Sequence, residues 1–114
     1  MKRGEVWLIN LDPTIGAEIK KSRPAIIVND DAIGILPLKV IVPITEWKEQ
    51  YAAAPWLVRL LPDSENGLEK PSAADAFQVR SVSQKRFVRC LGTLSDTMLK
   101  AINEALAVVL CLNK

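Results

Sequence analysis

Three residues whose chemistry suits a phosphate ester lie at the margins of strand-like segments. Glu18 sits in a polar stretch around Gly16, Arg23 precedes the apolar run Pro24–Asn29 (PAIIVN), and Thr45 closes the run Lys39–Thr45 (KVIVPIT). A guanidinium fork binds two phosphate oxygens at once and stays charged at any working pH. A threonine hydroxyl donates to a third oxygen, and donors set in place beforehand stabilise the extra negative charge of a pentacoordinate transition state. A carboxylate such as Glu18 can accept the proton of a ribose 2′-hydroxyl. Together these groups suit transesterification within RNA, in which the 2′-oxygen attacks its own phosphate without a metal or an external water. Each also has a plainer alternative: a surface arginine, a threonine chosen for β propensity, a solvated loop charge.

What the chain lacks narrows the chemistry further. It contains no histidine, which excludes a Ser-His-Asp triad, imidazole acid–base catalysis and most transition-metal sites. Cys90 and Cys111 have no CxxC spacing and read as free thiols acting as small buried hydrophobes. The adjacent Asp30 and Asp31 would point to opposite faces of a strand. No metal and no cofactor is therefore expected. The net charge is only +2, so distribution matters more than total. Lys20, Lys21 and Arg23 form one basic cluster; Arg80, Lys85, Arg86 and Arg89 form a second, free of acids, while 46–75 leans acidic. Two such clusters can converge into a patch that attracts phosphate, or can simply be solvated charge that protects strand edges.

The elements that must position these groups follow from patterning. With 114 residues the chain is read as a single domain, 1–114. Gly4–Asn10 is a β-rich run, broken by the turn chemistry of Leu11-Asp12-Pro13-Thr14, and Thr14–Ser22 is a loop. Pro24 is tolerable as the first residue of its strand, whereas Pro43 inside Lys39–Thr45 argues for an edge or a bulge. Trp56–Leu61 and Phe87–Leu91 read as further strands, Ala73–Val79 is ambiguous, and the intervening segments 29–36, 46–55 and 63–71 read as loops. Met98, Leu99, Ile102, Ala105, Leu106, Val109 and Leu110 repeat with helical spacing across Ser95–Leu112, with Ser95 as N-cap and Asp96 at the positive end of the dipole. Five to seven short strands followed by one amphipathic helix predict an α+β fold, a curled antiparallel sheet or small barrel on which the helix packs. Trp56 reads as core and Trp7 as buried or at an interface; Trp47 and Tyr51, in the loop after Thr45, suit base stacking or a dimer contact. The charged start Met1–Glu5 has no apolar h-region, and no run reaches the ~18 residues of a membrane span, so the reading places the protein in the cytoplasm, away from membranes.

The blocks Arg3-Gly4-Glu5-Val6-Trp7-Leu8, Leu11-Asp12-Pro13, Gly16-Ala17-Glu18 and Arg23-Pro24-Ala25-Ile26-Ile27-Val28 resemble the N-terminal signature of the MazF/PemK toxins. Val42-Pro43-Ile44-Thr45, Gln78-Val79-Arg80-Ser81-Val82, Lys85-Arg86 and Leu91-Gly92-Thr93-Leu94-Ser95 continue the likeness over nearly the whole chain. The resemblance implies a small SH3-like antiparallel β-barrel of CcdB/MazF type with a C-terminal helix. It also implies a homodimer, a cognate antitoxin partner, and metal-independent cleavage of single-stranded RNA to a 2′,3′-cyclic phosphate and a 5′-hydroxyl. The family's essential arginine and threonine fall on Arg23 and Thr45, and its loop glutamate on Glu18. Lys20, Lys21, Trp47, Gln78, Arg80, Lys85 and Arg86 are then the expected RNA contacts. Two positions depart from the pattern. Ala17 stands where some members have histidine, and Phe77 where many have an acid, with Asp75 two residues earlier. CcdB-like toxins share the barrel but inhibit DNA gyrase without cutting nucleic acid, and they supply the alternative function.

Overall fold

The computed structural model describes residues 1–33 and 36–112. Seven strands precede one helix: β1 (Glu5–Asn10), β2 (Ser22–Ile27), β3 (Leu38–Glu46), β4 (Leu57–Leu60), β5 (Ser72–Asp75), β6 (Arg80–Ser83), β7 (Phe87–Thr93) and α1 (Asp96–Leu110). All pairings are antiparallel. The strand order is β4-β5-β3-β2-β1-β7, with β6 added alongside β3. Among the described residues no ladder joins the two ends, so the expected barrel is a curled, unclosed sheet of CcdB/MazF type. No helix of the described residues is long and apolar enough to cross a membrane.

Strand β3 organises the sheet, and it corrects the expectation for Pro43. That residue lies in the middle of the longest strand, at neither an edge nor a bulge. On one side β3 pairs with β2 through Ile41, Val42 and Pro43. On the other it pairs first with β6, through Leu38–Ile41, and then with β5, through Ile44–Glu46. Pro43 falls in the gap between these two partners, where a missing backbone N–H costs no ladder bond. Pro24 likewise sits inside β2 rather than at its first position. The ambiguous stretch resolves into β5 and a 3-10 turn at Ala76–Gln78. Arg80–Ser83, too short and polar to read as a strand, forms β6.

The alternation of each strand divides its side chains between two clusters. Val6, Ile26, Val42, Ile44 and Leu60 face α1, which covers them with Ile102, Met98, Leu99 and Leu106. Ile9, Leu11, Ala25, Ile27, Ile41 and Val82 face the other way, beneath Trp7, Ile19 and Phe87. The helix begins as read: the Met98 N–H donates to Ser95 Oγ at 3.2 Å. Its apolar stripe ends early, because Leu110 is exposed. Cys111 caps the C-terminus in the left-handed region. Both cysteines are free and exposed rather than buried: Cys90 lies on the outer side of β7, and Cys111 projects beyond the last helical turn. Trp56 is not core either. It is exposed and meets Phe77 edge-on at 6.2 Å. Trp7 is half-buried against Phe87.

Candidate active site

The pairing of β2 with β3 runs Ile27↔Ile41, Ile26↔Val42, Ala25↔Pro43. Continued two residues further, the same register sets Arg23 opposite Thr45, on the face of the second cluster. The ladder stops before that pair because β3 turns away to join β5, where Thr45 pairs with Ala73. Arg23 stays fixed to β1 through its pairing with Ile9. The register aligns the two backbones; of the two side chains, Thr45 lines a cavity, whereas Arg23 is exposed and not among the residues lining it. Arg23 Nε donates to the Lys20 carbonyl at 3.3 Å.

The approach to Arg23 is shaped by a tight turn. Lys21 has φ +68°, a left-handed conformation that costs a non-glycine residue about 1 kcal/mol or more. Asp12 holds it: Lys21 N–H donates to Asp12 Oδ1 at 2.9 Å, and Leu11 N–H donates to the Lys21 carbonyl at 3.0 Å. The Asp12–Pro13 peptide is cis. Arg86 Nη1 donates to the Asn10 carbonyl at 3.2 Å and the Asp12 carbonyl at 2.6 Å.

Glu18 closes its own loop by accepting from Ile15 N–H at 2.7 Å. Its second oxygen lies 3.8 Å from Arg80 Nη1, a partly exposed pair worth less than about 1 kcal/mol. That contact, with Arg86 on the Asn10–Asp12 turn, brings Arg80 and Arg86 of the second basic cluster beside the first, whereas Arg89 lines a separate cavity with Leu8 and Pro24. Lys20, Lys21 and Lys85 are exposed. Two cavities meet beside the Glu18 loop. One of about 590 Å³ is lined by Thr45, Tyr51, Trp56, Asp75 and Gln78 among others. A second of about 350 Å³ holds Glu18 and Arg80. Ile19 and Gln78 line both, so they form the wall between them. Glu18 and Thr45 thus occupy adjoining cavities rather than one.

Asp75 was not singled out from sequence as a site residue, yet it shares the cavity of Thr45. Its Oδ1 accepts from Phe77 N–H at 3.1 Å and its Oδ2 from Gln78 Nε2 at 3.0 Å. Burial pushes its carboxyl above the ordinary value, against the lowering effect of those hydrogen bonds. Two signals in the sequence point to it: its place two residues before Phe77, where many members of the family have an acid, and a carboxylate set among small apolar residues in Ser72-Ala73-Ala74-Asp75-Ala76-Phe77. Trp47 lines neither cavity. It is half-buried, edge-on to Tyr51 at 5.9 Å, with the Arg59 guanidinium 5.3 Å from its ring centroid. Its indole N–H is buried without an acceptor. Tyr51 and Trp56 are the aromatics that face the cavity beside Thr45.

Comparison with known proteins bears on the family and the fold. Endoribonuclease MazF9 of Mycobacterium tuberculosis is 33% identical over 112 residues, covering 93% of this chain and 92% of its own. Endoribonuclease MazF of Staphylococcus saprophyticus is 31% identical over 113 residues, covering 99% and 93%. Among solved structures, MazF from Deinococcus radiodurans superposes with a TM-score of 0.81 at 23% identity, covering 97% of this chain and 96% of that one. An endoribonuclease in complex with its cognate antitoxin, from a mycobacterial species, gives 0.79 at 22% identity, covering 100% and 98%. These likenesses carry the fold. The family model for the PemK-like, MazF-like toxin of type II toxin–antitoxin systems matches residues 2–110, and the chain belongs to that family.

Proposed function

We propose that this chain, a MazF-like endoribonuclease toxin, cleaves single-stranded RNA beside Arg23 and Thr45 by 2′-hydroxyl transesterification. The register that sets Arg23 across from Thr45 where β2 and β3 part carries the proposal. The 2′-oxygen forms a bond to phosphorus, the bond from phosphorus to the 5′-oxygen breaks, and a 2′,3′-cyclic phosphate and a 5′-hydroxyl result. Arg23 stabilises charge on the phosphoryl oxygens; its intrinsic pKa is too high for easy proton donation, so the leaving oxygen takes its proton from water. Thr45 orients the scissile phosphate. Glu18 accepts the 2′-proton through Oε2, whose only partner is the long 3.8 Å contact with Arg80, and its side chain is more exposed than that of Asp75, both of whose oxygens accept hydrogen bonds within the chain. Lys20, Lys21, Arg80, Lys85 and Arg86 supply the positive field along the backbone, and Trp47 and Gln78 complete the proposed RNA surface. Tyr51 and Trp56 offer stacking faces to unpaired bases.

The protein acts in the cytoplasm as a homodimer held in check by a cognate antitoxin. The antitoxin bound to one of the solved neighbours supports that partner class. The test is to incubate the purified protein with a long RNA in EDTA and map the ends. Cyclic phosphate and 5′-hydroxyl termini at a recurring short sequence are expected. Intact RNA together with inhibited DNA gyrase would instead favour the CcdB-like alternative.

A further inference from the structure

Gln78 belongs to the segment expected to touch RNA, yet both ends of its side-chain amide are engaged within the chain. Its Oε1 accepts from Ile19 N–H at 2.7 Å, across 59 positions of sequence, and its Nε2 donates to Asp75 Oδ2 at 3.0 Å. The amide is therefore oriented. Oxygen toward Ile19 and nitrogen toward Asp75 satisfies both partners, while the flipped amide would set a donor against an N–H and an oxygen against a carboxylate. Ile19 is the residue after Glu18 and immediately precedes Lys20, whose carbonyl receives Arg23 Nε. Its side chain packs on the second cluster, so the Gln78 bond fixes the backbone at the point where the loop enters the core. Asp75 is fixed in turn by accepting from Phe77 N–H at 3.1 Å at the end of β5.

We propose that Asp75 is a positioning residue that acts through Gln78, forming a latch from the end of β5 to the catalytic loop that sets Glu18 and Arg23 against Thr45. The role of the loop residues rests on the nuclease reading above; the latch itself is a property of the free protein. The chemistry of the latch is directional: it needs an acceptor at position 75, and a side chain at position 78 that donates to it while accepting from Ile19. A carboxylate at 78 keeps the bond from Ile19 but places two acceptors face to face. An amide at 75 then restores the missing donor.

Gln78→Glu is expected to lower kcat for RNA cleavage at neutral pH by about ten- to a hundred-fold, the scale of a misplaced catalytic group, with a smaller change in KM. The double variant Asp75→Asn/Gln78→Glu is expected to recover most of the rate, since the new amide donates to the new carboxylate. Asp75→Asn alone leaves one oxygen for two donors, the Phe77 N–H and Gln78 Nε2, and is expected to lower kcat as well, so the double variant should be more active than either single variant. A single Gln78→Glu variant with wild-type kcat, or a double variant no more active than the single, would overturn the latch. Should Gln78→Glu fail to fold, amide hydrogen exchange on Gln78→Ala decides: accelerated exchange at Ile19, with unchanged protection at Ile26 and Val42, is expected, and unchanged exchange at Ile19 overturns the proposal. That measurement uses no RNA, so an inactive wild-type protein would sink the nuclease reading and leave the latch standing.

Discussion

On one face of the sheet, Val6, Ile26, Val42 and Ile44 lie beneath a fifteen-residue helix whose Ile102 is fully buried. On the other, Ile9, Ala25, Ile27 and Ile41 are as well buried, but part of their cover is a polar loop that contributes Ile19. The helix satisfies its own backbone and needs only the Ser95 cap at its start. The loop has no such ladder. It is tied down by separate side-chain bonds: Asp12 to Lys21, Glu18 to Ile15, Gln78 to Ile19, and Arg86 to Asn10 and Asp12. Burial of apolar surface thus stabilises both faces, while only the loop-covered one leaves polar side chains accessible for chemistry.

Three substitutions can break or sharpen that contrast. Arg23→Ala, on the loop-covered face, is expected to reduce RNA cleavage about a hundred- to a thousand-fold while moving stability by no more than about 0.5 kcal/mol. Steady-state cleavage and urea unfolding read the two effects separately, and a variant that still cuts at the wild-type rate removes Arg23 from the mechanism. Ile102→Ala is the mirror experiment: a loss of about 2–5 kcal/mol is expected from the cavity, with the remaining folded molecules cleaving normally. A fall in activity per folded molecule would show that the two faces are mechanically coupled. Ser95→Ala is expected to cost about 1 kcal/mol, read as a lower melting temperature without a change in cleavage pattern.

The smallest expected effect concerns pH. The Asp75 carboxyl titrates above its ordinary value in the folded chain, chiefly because burial disfavours the charged form. The folded state then holds more proton than the unfolded one across that window, so stability falls as pH rises through it. Asp75→Asn should remove this slope, a small difference in the window just above the ordinary aspartate value, reduced further by partial exposure. Glu5 behaves oppositely. Burial raises its carboxyl, but hydrogen bonds from the Trp7 indole and the Lys2 amide and the nearby N-terminal ammonium outweigh that, leaving it below the ordinary value. Its contribution is present above that value and fades as pH falls through the folded pKa. Urea titrations of Asp75→Asn and Glu5→Gln at several pH values should therefore diverge from wild type in opposite directions.

Much of this was legible in local pattern. The helix, its cap and the strand carrying Thr45 follow from periodicity and turn residues, because those signals lie within a few positions of each other; Arg23, read as preceding its strand, lies inside β2. What escaped was set by long-range pairing. Pro43 reads as an edge residue until two different strands are found to share one side of β3. Trp56 reads as core by size, yet the short β4 begins one residue later and leaves it at the mouth of the cavity. Cys90 reads as buried by type, but β7 is the outermost strand. Asp75 escaped as a site residue because its near neighbour Gln78 links it to the loop at Ile19, 59 positions away. The resemblance pointed to Arg23, Thr45 and Glu18, and the register of β2 on β3, continued past Ala25 and Pro43, aligns the first two in the backbone.

The contact of Arg80 with Glu18 also bears on how RNA would be held in solution. A cation paired with a carboxylate displaces fewer counterions when a phosphate arrives. Lys20, Lys21, Arg23, Lys85 and Arg86 remain, and five contacts to a single strand give a log–log slope of affinity against salt of about −3.5. Association with RNA should then weaken by about an order of magnitude for each doubling of ionic strength, and releasing Arg80 by Glu18→Gln should steepen that dependence.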